Sequence, residues 1–450
     1  MSQVRNSRHL SVAAIVLLVI ALLFLPASPA GAEERERRPD IVIKTAFDFN
    51  LDHGVRSGSG TESDPYVISG WDVNNLRISD TDAYVVITNV TVRNQMVLNW
   101  IGDRVHVFGN DIHDLRVNQN VRRTGDSTSG MIHDNSFDLV GQLRHWDGVF
   151  SNNVVGRNNG DPFAGLFGSR AVNFDGFNGA RFTNNTIYGY MDARLHGHHH
   201  SSQFGETSHY HGPPAAAHEH GEPSEEHPED HSMVDHSQRY HEVWITNNTI
   251  TAQGSYALQY VDTGHSGNDR TNGGSEQDEA LNGPHIHYTR VHINDNKLIG
   301  SGLRINTFNA NDPNHTGTAP GLVDVKRNDI TLRDTDAYPF GSSTPGISAN
   351  TAKDVTLRII DNRIEFEQRD FDPGNLEQNL DGGAGIDLRD FDIGSVYLYG
   401  NYVANRYYGI RASRFSETVH WYIDTLQTSG VTETVYWDQS VHNPPQQKEG

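Results

Sequence analysis

The chain of 450 residues is long enough for a large core, yet only 35% of it is hydrophobic and 43 residues are glycine, a loop-and-strand composition and not a helical one. Its 57 acidic against 35 basic residues give a formal charge of −22, which disfavours nucleic acid as a partner, because polyanions need clustered Lys and Arg, and favours cations. There is no cysteine, which excludes disulfides, thiolate metal sites, cysteine nucleophiles and a lipid-modified N-terminal cysteine.

At the N-terminus, Arg5 and Arg8 precede an unbroken apolar run from Val12 to Leu25, followed by PASPAGA with small residues at Ala30 and Ala32. This pattern predicts a signal peptide over residues 1–32, cut after Ala32. The run stops at Pro26, short of the roughly 20 residues a spanning helix needs, so an uncleaved anchor is the lesser alternative. The mature chain is expected to begin near Glu33, with 33–40 as a linker, and to be exported to the periplasm or the extracellular surface. No second apolar run follows, so no membrane span is expected after cleavage.

From residue 41 onward, short β-prone stretches alternate with Asn, Asp and Gly, and no helical period lasts beyond two turns. One phrase, Asn followed after one residue by an aliphatic or Phe, recurs at Asn110, Asn135, Asn153, Asn185, Asn248, Asn296, Asn328, Asn362 and Asn401. A second phrase, Gly with an aliphatic, falls at Gly302, Gly346, Gly385 and Gly409, and Gly346 to Asn362 and Gly385 to Asn401 are both sixteen residues. Recurrence with fixed internal spacing predicts a solenoid in which aliphatics point inward and the asparagines stack, their amides bonded from coil to coil. The asparagines are thus read as structural.

On these repeats the chain resembles the right-handed parallel β-helix proteins with short Asn-rich repeats, a group that includes carbohydrate-binding and sugar-hydrolase domains and NosD-like periplasmic proteins. SGSGTESDPYVISGWDV, residues 57–73, resembles an opening segment of that group, and VHWYIDTLQTSGVTETVYW, residues 419–437, a closing one. The resemblance implies an all-β, right-handed parallel β-helix over residues 41–440, with 441–450 as a tail. It implies little about function, since this scaffold hosts lyases, hydrolases, epimerases, adhesins and accessory proteins.

The asparagine spacing locates an insertion. Asn153 to Asn185 and Asn296 to Asn328 are each 32 residues, but Asn185 to Asn248 is 63, and both flanks read NNTI. The excess of at least 31 residues falls in the segment 196–241, which has eight carboxylates, one Arg, and no Ile, Leu or Trp, and is therefore expected to be a disordered loop thrown out of one coil. It holds twelve of the chain's 25 histidines: His196, His198, His199, His200, His209, His211, His218, His220, His227, His231, His236 and His241.

Neutral imidazoles beside carboxylates suit Zn(II), with Ni(II) and Cu(II) as alternatives, and a flexible run predicts several exchangeable sites and not one rigid cage. The five unclustered methionines argue against a Cu(I) carrier. The loop resembles the His- and acid-rich loops of zinc-uptake solute-binding proteins, which implies a metal ion, and a metal transporter or metalloprotein, as partners. The plainer alternative is a solvated low-complexity spacer. His285, His287 and His292 lie just downstream, read as decoration of a solvent-facing strand or as further ligands.

Catalytic candidates are confined to GGAGIDLRDFD, where Asp387 and Arg389 are two apart and so share one side of a strand, with Asp390 beside them. The plainer alternative is an exposed surface ion pair. The Asn-Thr-Asp, Asp-Asp, Gly-His-Gly and Arg-Ile-Lys motifs of polygalacturonases are absent, and NDPNH, with Asp312 and His315, departs by an extra Asn from the Asp-Pro-His element of alginate epimerases. Three functions are therefore carried forward: metal capture or delivery through the loop, polysaccharide binding or cleavage with Trp71, Trp100 and Trp146 as exposed stacking platforms, and a repeat-built surface or adhesion protein.

Overall fold

The computed structural model describes residues 35–101, 104–119, 130–146, 148–156, 170–176, 179–195, 240–254, 256–262, 288–308, 321–333, 344–352, 355–367, 383–391, 394–438 and 441. They form a parallel β-helix with three faces. The first face is a thirteen-stranded sheet in chain order, parallel except for the strand Val55–Ser57 at its start, which pairs antiparallel with Tyr66–Ser69. The second and third faces belong to one twenty-stranded sheet, continuous because long strands such as Trp71–Thr81, Ser136–Trp146 and Tyr402–Phe415 turn the corner between them.

The corner from the first to the second face is built identically in coil after coil. A residue in the left-handed region makes the turn: Asn89, Asp134, Asn152, Asn184, Asn247, Asp295 and Asp361 all have φ between 53° and 59°. Asn and Asp tolerate this conformation best among residues with a side chain, which explains the Asn and Asp that precede the repeated asparagine. Gly109 and Gly400 serve at two other coils, and a Cβ at Gly400 would meet Asp361 Oδ1 at 2.1 Å. Arg327, φ 54°, is the exception; its guanidinium makes two 2.7 Å bonds to Asp295, the turn residue one coil earlier.

The next residue is the repeated asparagine, pointing inward and 1–4% exposed in all nine copies. Asn185 is typical. Its Nδ2 donates to Phe150 O at 3.0 Å and to Asn248 Oδ1 at 3.0 Å, and its own Oδ1 accepts from the backbone N–H and the Nδ2 of Asn153. The chain of amides runs unbroken from Asn110 to Asn401. At its upstream end Val90 holds the equivalent place and donates its backbone N–H to Asn110 Oδ1.

The rest of the interior is aliphatic and aromatic columns in register, for instance Met191, Leu258, Leu303, Ile347, Ile386 and Ile410 along the third face. Phe137, Phe150 and Phe182 stack at 5.7 and 4.7 Å. The glycine phrase is also a column: Gly302, Gly346, Gly385 and Gly409 stand where the second face bends into the third. A Cβ at Gly346 would lie 2.3 Å from Ile364 Cγ2. The bend thus brings backbone against the core, and only glycine fits.

Strand pairing begins at Glu36–Arg37, within the segment read as a linker, and continues through the last coil, Val419–Asp424 and Gln427–Trp437. Residues 1–32, read as a signal peptide, lie outside the described residues, and among the described residues no helix is long and apolar enough to cross a membrane.

Because each ladder amide is buried with all its bonds made inside the protein, removing one leaves unpaired groups on both sides. Asn248→Ala should destabilise the solenoid by about 2–4 kcal/mol, measured by denaturant unfolding, whereas an Ala at the exposed Gln427 in the last coil should change little.

Candidate functional site

The histidine segment leaves one coil and the next coil continues as if it were absent. Leu195 ends the strand Tyr190–Leu195 on the third face, and Tyr240 opens the strand Tyr240–Thr246 on the first. Thr186 nonetheless pairs with Thr249 and Arg181 with Trp244, both 63 residues apart, in perfect register. Four insertions, 120–129, 196–239, 263–287 and 309–320, join third-face strands to first-face strands. Three more, 157–169, 334–343 and 368–382, join second-face strands to third-face strands. The third face is therefore the one bounded by insertions along both of its edges.

Eleven of the twelve candidate ligands, His196 through His236, lie outside the described residues, as do His285 and His287 and the pair Asp312 and His315. His241 lies on the strand Tyr240–Thr246, paired with Thr289, with its side chain outside the description. Among the described residues no three metal-ligating side chains come together.

His292 is described, and it is no loose surface decoration. It sits in a column on the outside of the first face, in register with Trp244, Asp324 and Arg358. Its ring stacks on Trp244 at 5.7 Å, and its Nδ1 lies 3.4 Å from Asp324 Oδ2. Asp324 is nearly buried and also meets Lys326 Nζ at 3.0 Å and Arg358 Nη1 at 3.9 Å. Burial opposes its ionisation, but the hydrogen bonds from His292 and Lys326 and the charges of Lys326 and Arg358 outweigh it and hold the carboxyl below its ordinary value of 3.8.

The third face carries the catalytic candidates. Asp387 and Arg389 do share one side of their strand, with Nε to Oδ2 at 2.8 Å. The pair is not an exposed one: Asp387 is 1% exposed, and Arg411 of the next coil adds bonds of 3.0 and 2.9 Å to its two oxygens. Asp390 is elsewhere. It makes a left-handed turn, φ 59°, and is bonded at 2.7 Å to Arg414, so the three residues do not form one constellation.

Sequence reasoning missed a second copy of the arrangement. Asp192, 4% exposed, is bonded to Arg194 at 2.9 Å with Arg170 at 3.5 Å, in the same outward column as Asp387 four coils away. Its signal was the repeated Asp-x-Arg, DARL at 192–195 and DLRD at 387–390. Between them the column reads Gln259, Arg304, Ser348, with the Arg304 guanidinium 5.2 Å from the Tyr256 ring. The arrangement offers guanidiniums and amides to an anionic or hydroxylated ligand, and no Asp free of arginine to act as acid or base.

Two of the three proposed stacking tryptophans are internal. Trp146 is fully buried, and Trp71 is 6% exposed, its Nε1 donating to Gly54 O at 2.7 Å and its ring covered by Arg56 at 3.3 Å. Large inward-facing aromatics fill the wide interior of these coils, a demand that strand alternation alone does not distinguish from surface display. The side chain of Trp100 lies outside the description.

No protein-family model, no curated protein and no solved structure matches this chain.

Asp324 gives a pH prediction. Its carboxyl is depressed in the folded state, so its contribution is complete above the ordinary value of 3.8 and is lost as pH falls through the lower folded-state value. Asp324→Asn should destabilise the protein by about 1–3 kcal/mol at neutral pH, and the two unfolding curves should converge in strong acid.

Proposed function

We propose that the protein is an exported β-helix scaffold that captures or delivers divalent transition metal, foremost zinc, through the histidines of 196–241. The carrying observation is twofold: twelve histidines and eight carboxylates fall in 46 residues, and the strands on either side, apart from His241 on Tyr240–Thr246, pair across the segment in register. A segment that the register of its flanking coils does not require, yet this dense in one ligand type, is best explained by the ligand's chemistry. The neighbouring carboxylates concentrate cations around it. The resemblance to NosD-like periplasmic proteins fits a scaffold of this kind outside the cytoplasm, working beside a metal transporter or a metalloprotein.

The register supplies a clean deletion. Gly176 pairs with Leu195, and Arg181 with Trp244; the first coil crosses this corner with the four residues 177–180, and removing 196–239 leaves the four residues 240–243 for the same crossing. The shortened chain should keep the thermal transition of the full one. In calorimetric titrations with zinc, nickel and copper, the full chain should bind with micromolar or tighter affinity, weakening as pH falls through about 6.5 as imidazoles protonate. The shortened chain should not. Equal weak binding by both would remove the proposal.

A second reading, binding of a polysaccharide along the third face, is favoured by the column of arginines and amides between two rows of insertions. Arg304→Ala should then weaken binding of an acidic oligosaccharide by about tenfold in a fluorescence titration, with no change for the deletion of 196–239.

A further inference from the structure

The two ends of the solenoid are finished differently. At the N-terminal end, Ile41, Ile43 and Ile68 are fully buried beneath the turns Ala46–Asp48 and Leu51–His53 and the antiparallel pair of Val55–Ser57 with Tyr66–Ser69. The strands of the first rung, Glu36–Arg37 and Ile41–Ile43, are short and are separated by Arg38, Pro39 and Asp40. Brevity, charge and proline are what keep a sheet edge from recruiting another strand.

At the C-terminal end the edge is longer and holds no proline, and its formal charges are Asp424 and Glu433 alone. Val419–Asp424 pairs only with Gly394–Tyr399, and Gln427–Trp437 only with Tyr402–Phe415, among the described residues. Their 17 residues present about 58 Å of open backbone edge at roughly 3.4 Å per residue. From Val419 to Trp437 there is no Lys, Arg or Pro. The inward side chains Trp421, Ile423, Val431, Val435 and Trp437 are only partly covered, whereas Val396, Leu398 and Ile410 one coil earlier are at most 2% exposed. Val441 bridges to Phe415 and covers that corner.

We infer that this end docks on the same end of a second copy of the chain, forming a two-fold dimer by antiparallel edge pairing. The sequence of the edge is complementary to itself. In Val419–Asp424 the outward residues are His420, Tyr422 and Asp424, all exposed. A two-fold axis at Tyr422 sets His420 against Asp424 of the second copy, twice, Tyr422 against Tyr422, and Trp421 against Ile423 on the core side. Imidazole and carboxylate, aromatic and aromatic, and apolar groups each meet their match across one axis. The contact is isologous and closes at two chains, while the guarded N-terminal ends point outward and stop further growth.

Sedimentation of the full chain, with a chelator present so that histidine-bound metal cannot link molecules, tests this. The expected species has twice the chain mass at micromolar concentration and dissociates on dilution. His420→Asp, at an exposed position, should weaken the dimer about tenfold or more with no change in thermal unfolding. Adding Asp424→Lys to it sets a carboxylate against an ammonium across the axis and should restore the dimer. A monomer at every concentration, a ladder of larger oligomers, or a dimer indifferent to His420→Asp would overturn the inference.

Discussion

Each asparagine amide in the column from Asn110 to Asn401 is removed from water, and the fold depends on the way it is repaid. A buried amide without partners costs several kcal/mol. Here the carbonyl oxygen accepts from the backbone N–H and side-chain NH2 of the preceding coil's asparagine, and the NH2 donates to a backbone carbonyl and onward to the following coil. An amide is the one neutral side chain short enough for this corner that both donates twice and accepts twice. The column therefore fixes register between coils, and every other column, aliphatic or aromatic, inherits that register. A solenoid held this way is stabilised neighbour by neighbour, so it tolerates large excursions wherever the corner geometry is restored on return.

That tolerance explains why coils of 18 residues and of 63 coexist in one stack, from Asn135 to Asn153 and from Asn185 to Asn248. The insertions are not scattered. They occur at the two edges of the third face, away from the corner that holds the asparagines, where an interruption does not break the amide chain. The histidine segment is the longest of them, and the buried Asp192 and Asp387 with their arginines lie on the face they border. Ion pairs of this kind contribute little net stability when compared with apolar packing, since desolvation offsets attraction. Their value lies in orienting guanidiniums such as those of Arg194 and Arg389, both two-fifths exposed, toward whatever approaches the face.

The amino-acid sequence is legible where one rule acts alone. The repeated asparagines and the glycine phrase each recur in the sequence because each answers a single local demand, an amide that must be paired or a close backbone approach, whereas the left-handed turn at the residue before each asparagine emerges only in the structure. The sequence is ambiguous where two environments select the same residue type. Trp71 and Trp146 face the core and not the surface: a tryptophan on a strand suits either a sugar or a wide core, and burial decides between them only in three dimensions. Asp387 was open to an exposed ion pair because its second arginine, Arg411, comes from another coil 24 residues away. Asp390 looked adjacent in sequence but the left-handed turn at that residue sends it to Arg414. His292 lies near His285 and His287 in sequence, whereas its partner is Asp324, one coil on.

The two ends of the stack follow from the same physics as its middle. A coil buries its apolar columns only against a neighbour, so the first and last coils each need a substitute for the coil they lack. The N-terminal end has one in the cap that Trp71, Arg56 and the turns after Ile43 build over the core. The asparagine column stops at Asn401 and gives way to Leu426, so the last coil also lacks the amide that would hand register on to another. A further coil of the same kind could not be locked in place by that column. A strand that arrives antiparallel needs no asparagine ladder, only an edge of matching sequence, and this is the kind of partner that the alternation of His420, Tyr422 and Asp424 can meet.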